Sequence, residues 1–271
     1  MASTVLQAKQ LSWQVSGKRI IENIDFELNR GETVAIVGPN GAGKTSLLKC
    51  LHGEHSDFTG IITLNSKPLS ALPHKDIAKQ IAVVSQQTNS VFDLTVIDIV
   101  RMGLIPHKSF FESDNGNDAN RIHSALSKVD LLEKRQQVFN TLSGGEQQRV
   151  LIARAVVQAA NILIMDEPTN HLDIYYQHQI LGLAKKLKIT LLLTIHDLNL
   201  AAEYCDRIVL MNHGQIVAND TPEQVFTPPT LKSVFNLNCA VDNNPFTNKP
   251  RITFSSITDS AARTKNKGDE Q

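Results

Sequence analysis

The chain has 271 residues, of which 41% are hydrophobic, enough to bury a core in one large or two small domains and to exclude wholesale disorder. Its 27 basic and 27 acidic residues cancel, so no overall field attracts an anionic membrane or nucleic acid, and we expect no nucleic-acid partner. Three cysteines without CxxC spacing (Cys50, Cys205 and Cys239) predict free thiols in a reducing, cytoplasmic compartment. The sequence has neither a secretory signal nor an apolar run of the about eighteen residues that a spanning helix needs, so we expect membrane contact only through a partner.

The first predicted elements are short strands. Residues 4–30 and 58–66 hold alternating or apolar runs broken by Gly, Asn and Asp, which predict a small antiparallel sheet. Between them, "ETVAIVGPNGAGKTSLLKCL" predicts an apolar strand, a glycine-rich loop and a helix. Further strands are predicted for "IAVVSQ", "NILIMDEPT" and "ITLLLTIHD". These apolar runs are typical of a mostly parallel sheet covered by helices, which binds ligands at the C-terminal ends of its strands.

The glycine-rich loop predicts a phosphate site. "GPNGAGKT" satisfies G-x-x-x-x-G-K-[ST] in the required setting of strand, loop and helix. Glycines let backbone amides and the positive end of a helix surround phosphates. We expect Lys44 to reach the β- and γ-phosphates of ATP and the Thr45 hydroxyl to bind Mg²⁺. The predicted ATP-binding residues are Gly38, Pro39, Asn40, Gly41, Ala42, Gly43, Lys44, Thr45 and Ser46.

Polar residues at the ends of the other strands predict the rest of a phosphoryl-transfer site. The run "ILIMDE" delivers Asp166 to Mg²⁺ and places Glu167 beside it as the general base for an attacking water. On its own, an Asp-Glu pair is also typical of a solvated turn, and the glycine-rich loop is what favours catalysis. His196 is either a sensor of the γ-phosphate or an ordinary hydrogen-bonded histidine. Gln86, which closes "IAVVSQ", is expected to touch both Mg²⁺ and the attacking water.

The stretch from about residue 93 to 158 has helical spacing and no strong strand signal. We therefore predict an α/β fold, a P-loop NTPase core with an N-terminal antiparallel β subdomain and an inserted α-helical subdomain. Residues 1–235 would form the nucleotide-binding domain. Residues 236–271 turn polar, with scattered prolines, and predict a C-terminal extension that ends in a partly disordered tail, "SSITDSAARTKNKGDEQ".

The loop "LSGGE", which leads into the helical stretch "QQRVLIARA", completes an ordered series of motifs. A P-loop, a Gln-ended strand, "LSGGE", "DEPTNHLD" and a His-ended strand resemble the ATP-binding cassette (ABC) ATPases over residues from about 4 to 235. The resemblance implies that a signature loop of Ser143, Gly144, Gly145 and Glu146 contacts the γ-phosphate of ATP held by a second subunit. It also implies a D-loop at Asn170–Asp173, with Asp173 at the dimer seam, and coupling of Gln86 and the helical insert to a membrane partner.

The sequence departs from the family pattern at the adenine. Many members stack the base on an aromatic residue just before the glycine of the first hairpin, and Val15 occupies that position here. Trp13 lies two residues earlier, on the same face of the strand. We therefore consider Trp13 and Val15 as candidates for adenine contact, with a packed tryptophan as the alternative.

The segments "DEPTNHLDIYYQHQIL", "IHDLNLAAEYCDRIVLMNHGQIVANDTPEQVF" and "DLTVIDIVRMGLIPH" are most similar to ATPase subunits of bacterial importers for iron(III)-siderophores, haem and cobalamin. This likeness implies a Mg²⁺-dependent ATPase homodimer, peripheral at the cytoplasmic face of the inner membrane. Its implied partners are a permease dimer and, indirectly, a periplasmic or surface substrate-binding protein. We expect siderophore cargo first, then haem, then cobalamin.

Two rival hypotheses start from the same cassette. One is a soluble ABC protein that acts on ribosomes or in DNA repair, and a single cassette without sustained heptads disfavours it. The other is a regulatory cassette that does not hydrolyse ATP. The presence of Lys44, Glu167 and His196 disfavours that second rival.

Overall fold

The structure, a computed structural model, describes residues 3–85, 93–109 and 112–256. The strands in these ranges are β1 (Thr4–Val15), β2 (Lys18–Asn29), β3 (Thr33–Val37), β4 (Thr59–Leu64), β5 (Lys67–Pro68), β6 (Ile81–Val84), β7 (Ile162–Met165), β8 (Thr190–Thr194), β9 (Arg207–Asn212), β10 (Gln215–Asp220), β11 (Cys239–Asn243) and β12 (Pro250–Phe254). The α-helices are α1 (Lys44–Leu51), α2 (His74–Ala78), α3 (Val96–Arg101), α4 (Gly116–Lys128), α5 (Gly144–Gln158), α6 (Ile174–Lys186), α7 (Leu198–Tyr204), α8 (Pro222–Val225) and α9 (Pro228–Phe235).

The N-terminal sheet is antiparallel, as predicted, with the strand order β2-β1-β4-β5. Strands β1 and β2 form a long hairpin in which Val15 pairs with Lys18 next to the turn. The register shifts several times along this pair, which bends the strands. The inward residues, such as Leu11 and Ile24, are fully buried, so this sheet contributes one face to a core.

The central sheet has the order β10-β9-β3-β8-β7-β6, and all its neighbouring pairs except β9 and β10 are parallel. Every residue of β3, β7 and β8 is buried. Continuous apolar strands are expected where both faces of a sheet are covered. Because parallel strands end at the same edge, the segments that follow β3, β7 and β8 meet there, and this edge carries the site described below.

The central sheet separates two hydrophobic cores. Along β3, Val34 and Ile36 belong to a core shared with the antiparallel sheet and α1. Ala35 and Val37 belong to a second core, which contains the apolar residues of α3, α4 and α5. This alternation follows from the two-residue period of a strand. The predicted α/β fold class is therefore confirmed.

Residues 93–158 contain α3, α4, α5 and short 3₁₀ turns, and no strand within the described part of this stretch. Side chains satisfy the free amides at the starts of α3 and α4, where Thr95 with Asp98 and Asn115 with Asp118 form capping boxes. The turn after α3 packs so closely on α5 that a Cβ at Gly103 would lie 2.3 Å from the carbonyl oxygen of Arg154. The helical character predicted for this segment is observed.

A hairpin of β11 and β12 packs against α7. The Asn199 side chain donates a hydrogen bond to the carbonyl oxygen of Ile252 (3.2 Å) and accepts one from the Ile252 amide (2.7 Å). The rings of Phe235 and Phe254 meet edge to face, with centroids 5.8 Å apart. The polar composition after residue 235 did not predict this hairpin. Most of the predicted tail, residues 257–271, lies outside the described residues.

The three cysteines are free thiols, as predicted: Cys50 and Cys205 are buried, and Cys239 is half-buried. Burial, aided by the charge of Asp57, raises the pKa of the Cys50 thiol to about 12, so this thiol stays protonated and unreactive. Among the helices of residues 3–85, 93–109 and 112–256, none combines the length and the apolar composition of a membrane span.

Candidate functional site

The glycine-rich loop lines a cavity of about 480 Å³ beyond the C-terminal end of β3. Its wall also includes residues 18–20 at the start of β2, Glu167 after β7, and His213 and Gly214 in the turn between β9 and β10. This volume is typical of a small-molecule site. Lys44 and Thr45, the first residues of α1, line the cavity, so the positive end of α1 opens onto it.

Two glycines of this loop cannot be replaced without moving the backbone. Gly38 and Gly43 have φ angles of +149° and +96°, which L-residues with a side chain rarely adopt. A Cβ at Gly38 would lie 2.2 Å from the carbonyl oxygen of Met211, and one at Gly43 would lie 2.8 Å from that of Ile20. The glycines therefore allow the loop to pack closely against β9 and β2.

Lys44 is a buried cation beside this cavity. Its Nζ donates to the carbonyl oxygens of Gly38 (2.9 Å) and Pro39 (3.1 Å), and its exposed fraction is 5%. Burial lowers the pKa of Lys44, although the charges of Glu167 and Asp166 oppose that shift. No carboxylate of the described residues lies within ion-pair distance of Nζ. The ammonium is thus placed to bind an anion in the cavity.

Asp166 and Thr45, the two residues expected to bind Mg²⁺, lie in contact. The Thr45 hydroxyl donates to Asp166 Oδ1 at 3.1 Å, although 121 residues separate the two positions. The hydroxyl of Thr194, the last residue of β8, donates to the same oxygen at 2.6 Å and accepts a hydrogen bond from the Glu167 amide at 2.8 Å. A hydroxyl and a carboxylate are hard oxygen donors, so this pair fits a Mg²⁺ ion.

Glu167, the predicted general base, and His196, a candidate sensor of the γ-phosphate, lie in contact. Glu167 Oε1 lies 2.5 Å from His196 Nε2, and Glu167 Oε2 accepts a hydrogen bond from the Asn170 side chain at 3.1 Å. Both carboxylate oxygens are therefore oriented. Glu167 has a φ of +49°, an uncommon backbone conformation for a residue with a side chain, and such residues cluster at functional sites. The position of β8 next to β7 brings the two side chains together.

Gln86, the third residue predicted to act on Mg²⁺ and water, lies outside the described residues. Trp13 and Val15 do not line the cavity of the glycine-rich loop. The Trp13 ring instead stacks on His55, with centroids 4.1 Å apart, and its Nε1 donates to Asp57 Oδ1 at 2.8 Å. The alternative of a packed tryptophan thus describes the observed contacts of Trp13, and Val15 lies exposed beside the hairpin turn.

The loop of residues 143–146 begins α5 and does not line the cavity. Ser143 and Glu146 form a capping box, and Gly144 is exposed. Gly145 is buried, and a Cβ there would lie 2.9 Å from Cδ1 of Tyr176, so packing of α5 against α6 within one chain requires this glycine. The loop therefore offers Ser143 and Gly144 to the outside.

Asp173 precedes α6 and forms no side-chain cap there. The next two residues, Ile174 and Tyr175, are 75% and 70% exposed. These two large apolar side chains are adjacent and exposed at the start of α6, which is typical of a contact surface.

Some residues of the site were missed from the sequence. Thr194 was not selected, although a lone hydroxyl residue in the apolar run "LLLTI" is a detectable signal of a buried hydrogen bond. Arg19 and His213 also reach the cavity, through two hairpins of separate sheets. No local pattern marks these two residues, because tertiary folding alone brings their turns together.

Comparison with known proteins gives a family and several relatives. The sequence pattern of the family described as ABC transporter matches residues 21–170. The hemin import ATP-binding protein HmuV of Photobacterium damsela subsp. piscicida is 36% identical over 255 residues, which cover 91% of this chain and 95% of the relative. The iron(3+)-hydroxamate import ATP-binding protein FhuC of Bacillus subtilis (strain 168) is 34% identical over 249 residues, covering 90% and 93%.

A solved structure has the same fold over nearly the whole length. It is described as an inward-facing conformation of a metal-chelate type ABC transporter, and it superposes with a TM-score of 0.81 at 26% identity. The match covers 93% of this chain and 97% of the other.

Proposed function

This chain belongs to the ABC transporter family and is one of its importer ATPases, and on that premise we propose that it drives bacterial import of iron(III)-siderophores. The observation that supports an iron-chelate cargo is a pair of relatives, each matched over nine-tenths of this chain or more, one named for hemin and the other for an iron(III)-hydroxamate. Haem is the second candidate, on the first of these relatives, and cobalamin is the third. In each case the permease and the substrate-binding protein would contact the cargo, so the cassette itself needs no change to serve any of the three.

In the proposed reaction, water attacks the γ-phosphorus of ATP, the bond to the β,γ-bridging oxygen breaks, and ADP leaves. Glu167 accepts the proton of the water, and His196 orients the carboxylate of Glu167 and senses the γ-phosphate. The 2.5 Å contact between these two side chains supports the assignment. Lys44 neutralises charge on the phosphates, which its burial and lack of a carboxylate partner among the described residues support.

Thr45 and Asp166 would hold Mg²⁺, with Gln86 as a further ligand. Once bound, the ion neutralises phosphate charge and aligns the leaving group. The contact of 3.1 Å between the Thr45 hydroxyl and the Asp166 carboxylate supports a shared ligand position.

We further propose that two copies of the chain form a dimer around ATP. The signature loop does not line its own cavity, yet Ser143 and Gly144 face outward at the start of a helix, where anions bind. In the dimer these residues cap the ATP of the partner subunit, and the D-loop with Asp173 lies at the seam. The exposed Ile174 and Tyr175 supply apolar contact there.

The proposed membrane partner is a permease dimer, which a substrate-binding protein supplies. A groove of about 700 Å³ lies between α2 and the turn after α3, and it includes His74, Leu104 and Ile105. Ile105 is 67% exposed, so the groove presents apolar surface for a permease segment. Bound in this way, the ATPase would be peripheral at the cytoplasmic face of the inner membrane.

Uptake in cells tests this function. Cells whose only copy carries Glu167→Gln are given labelled iron(III)-siderophore, haem or cobalamin, beside wild type. The expected result is loss of siderophore uptake alone, because the substitution removes the general base. Glu27→Gln, at an exposed glutamate remote from the cavity, is the matched control and should transport normally. Loss of haem uptake alone would select the second candidate, and unchanged uptake of all three would refute the importer role.

A further inference from the structure

Glu146 is the charged residue of the signature loop. Its Oε2 accepts hydrogen bonds from the amide of Ser143 at 3.0 Å and from the Ser143 hydroxyl at 2.9 Å. Its other oxygen, Oε1, lies 2.5 Å from Nζ of Lys134, which ends the 3₁₀ turn Leu132–Lys134. The hydrogen bond from Lys134, helped by those from Ser143, lowers the pKa of Glu146 to about 2, although burial opposes the shift. The carboxylate is therefore charged at every physiological pH.

A negative charge at this place opposes the proposed role of the loop. The first turn of a helix attracts phosphates through its free amides and its positive dipole end. Glu146 lies in that same turn of α5, so its carboxylate repels the phosphates that Ser143 and Gly144 are to bind. Protonation cannot remove the repulsion at neutral pH. The loop can receive ATP well only if another group neutralises Glu146.

Lys134 is placed to do so. It is the one cationic side chain of the described residues within ion-pair distance of Glu146. The hydrogen bond from Lys134 to Glu146 also matters if the Ser143 hydroxyl binds a phosphate. That hydroxyl has a single proton, which it donates to Glu146 in this structure. If that proton turns to a phosphate, Glu146 keeps the bonds from Lys134 and from the Ser143 amide.

We propose that Lys134 is a positioning residue for the ATP of the partner subunit. Its ammonium neutralises Glu146 and holds that carboxylate, which frees Ser143 and Gly144 to bind the partner's phosphates. Lys134 acts through Glu146 and not by touching ATP. This inference rests on the proposed dimer, in which the signature loop of one subunit meets the cavity of the other.

The test is ATP-driven dimerisation of the full chain, measured by analytical ultracentrifugation across a range of MgATP concentrations. Glu167→Gln serves as the parent, because it should bind ATP without hydrolysing it. Adding Lys134→Ala should raise the ATP concentration for half-maximal dimer about tenfold, since Glu146 is left unneutralised. Adding Glu146→Gln to that protein should restore the parental value within about twofold. Lys128→Ala, at an exposed lysine of α4 outside any ion pair of described residues, is the matched control and should change nothing.

Salt and thermal stability separate charge neutralisation from a structural role. The defect of Lys134→Ala should shrink between about 0.05 M and about 0.5 M NaCl, because salt screens the repulsion. A structural role would instead lower the unfolding temperature and would not be rescued by Glu146→Gln. The role of Lys134 would be refuted, and the proposed dimer would not, if Lys134→Ala dimerised like the parent. The same holds if adding Glu146→Gln to Lys134→Ala left dimerisation as weak as before. A Glu167→Gln parent that binds ATP yet stays monomeric would overturn both the dimer and the role of Lys134.

Discussion

At the scale of single residues, Thr194 links the two acidic residues of the site. Its hydroxyl, fully buried at the end of β8, donates to Asp166 and accepts from the amide of Glu167. Glu167 has a φ of +49°, so this hydrogen bond helps to hold an uncommon backbone conformation. The orientation of the proposed base therefore depends on a residue that does not line the cavity.

We expect Thr194→Val to impair both folding and hydrolysis. The valine has the same shape but leaves the amide of Glu167 without its acceptor, which should cost about 1–3 kcal/mol of unfolding free energy. Because a shifted general base loses alignment, the ATPase rate should fall about tenfold or more. Urea unfolding and steady-state phosphate release measure the two effects. Thr194→Ser, which keeps the hydroxyl, should retain most of the activity, and equal activity of the Val and Ser variants would contradict this account.

Lys44→Ala should weaken ATP binding without lowering the unfolding temperature. Loss of a charge-assisted contact with phosphates should weaken ATP binding by about tenfold or more in isothermal titration calorimetry. The same change removes a buried ammonium that lacks a carboxylate partner among the described residues, so the unfolding temperature should stay equal or rise. Lys9→Ala, at an exposed position, is the control. Unchanged ATP affinity would rule out the proposed role of Lys44.

The residues predicted best from the sequence are those whose chemistry fixes their spacing. Lys44 was found because a phosphate loop requires lysine at one offset from its glycines, and Asp166 and Glu167 because they end an apolar strand. The structure brings these residues together with His196. Arg19 and His213 could not be found in this way. Each belongs to a different hairpin, and the two hairpins that meet at the cavity are far apart in sequence.

At the scale of secondary-structure elements, α5 connects the helical segment to the central sheet. The guanidinium of Arg154 donates to the carbonyl oxygen of Val83 in β6 at 2.9 Å, and burial lowers the pKa of Arg154. On the other side, Gly103 lets the turn after α3 lie against the backbone of α5. The second half of α5 is therefore held by contacts with both parts of the molecule.

Gly103→Ala should disturb the packing of the turn after α3 against α5 and so destabilise the fold. The new Cβ would meet the carbonyl oxygen of Arg154 at 2.3 Å, and overpacking of this kind costs about 1–3 kcal/mol. Thermal unfolding should therefore show a lower midpoint. Gly116→Ala is the matched control, because nothing lies within 4 Å of its Cβ position at the first residue of α4. An equal midpoint for Gly103→Ala and wild type would show that the backbone there yields without cost.

The ion pair between Glu32 and Arg207 gives the β-sheets a defined acid dependence. Arg207 Nε and Nη2 donate to the two carboxylate oxygens of Glu32 at 2.6 and 2.9 Å. Burial raises the pKa of Glu32, but the bonds from Arg207 and Asn29 outweigh it, so the net shift is below the ordinary value of 4.5. A depressed pKa stabilises the fold above pH 4.5 and loses that effect as pH falls through the folded-state pKa. Glu32→Gln should therefore reduce the slope of stability against pH below 4.5 in urea titrations, and an unchanged slope would contradict this assignment.

Strand and helix prediction succeeded where one element buries many apolar residues. The runs that became β3, β7 and β8 are apolar throughout, so their burial was readable from the sequence. The hairpin of β11 and β12 was not readable, because its residues are mixed and few are buried. Its position depends on Phe235, whose ring meets that of Phe254, and on the side chain of Asn199, which is 53 residues from its partner Ile252.

At the scale of the whole molecule, Ser143→Arg tests the proposed dimer. The signature loop does not line its own cavity, so ATP binding by the single subunit should be unchanged. An arginine at the outward face of α5 should block the approach of a second subunit, which abolishes ATP-driven dimerisation and hydrolysis. Gel filtration of the Glu167→Gln protein with and without Ser143→Arg measures this. Ser124→Arg, at an exposed position of α4, should still dimerise, and full hydrolysis by Ser143→Arg would refute trans capping.

Trp13 is the single tryptophan of the 271 residues, and it packs against the core shared by the antiparallel sheet and α1. Its ring lies on His55, and its N–H is bound to Asp57. Intrinsic fluorescence excited at the indole therefore reports on this half of the protein. When the antiparallel sheet opens and water reaches the ring, the emission shifts to longer wavelength, whereas melting confined to the helical segment leaves the spectrum unchanged. The intrinsic fluorescence of Trp13 thus reports on one of the two cores, and the order in which the cores unfold can be followed without an added dye.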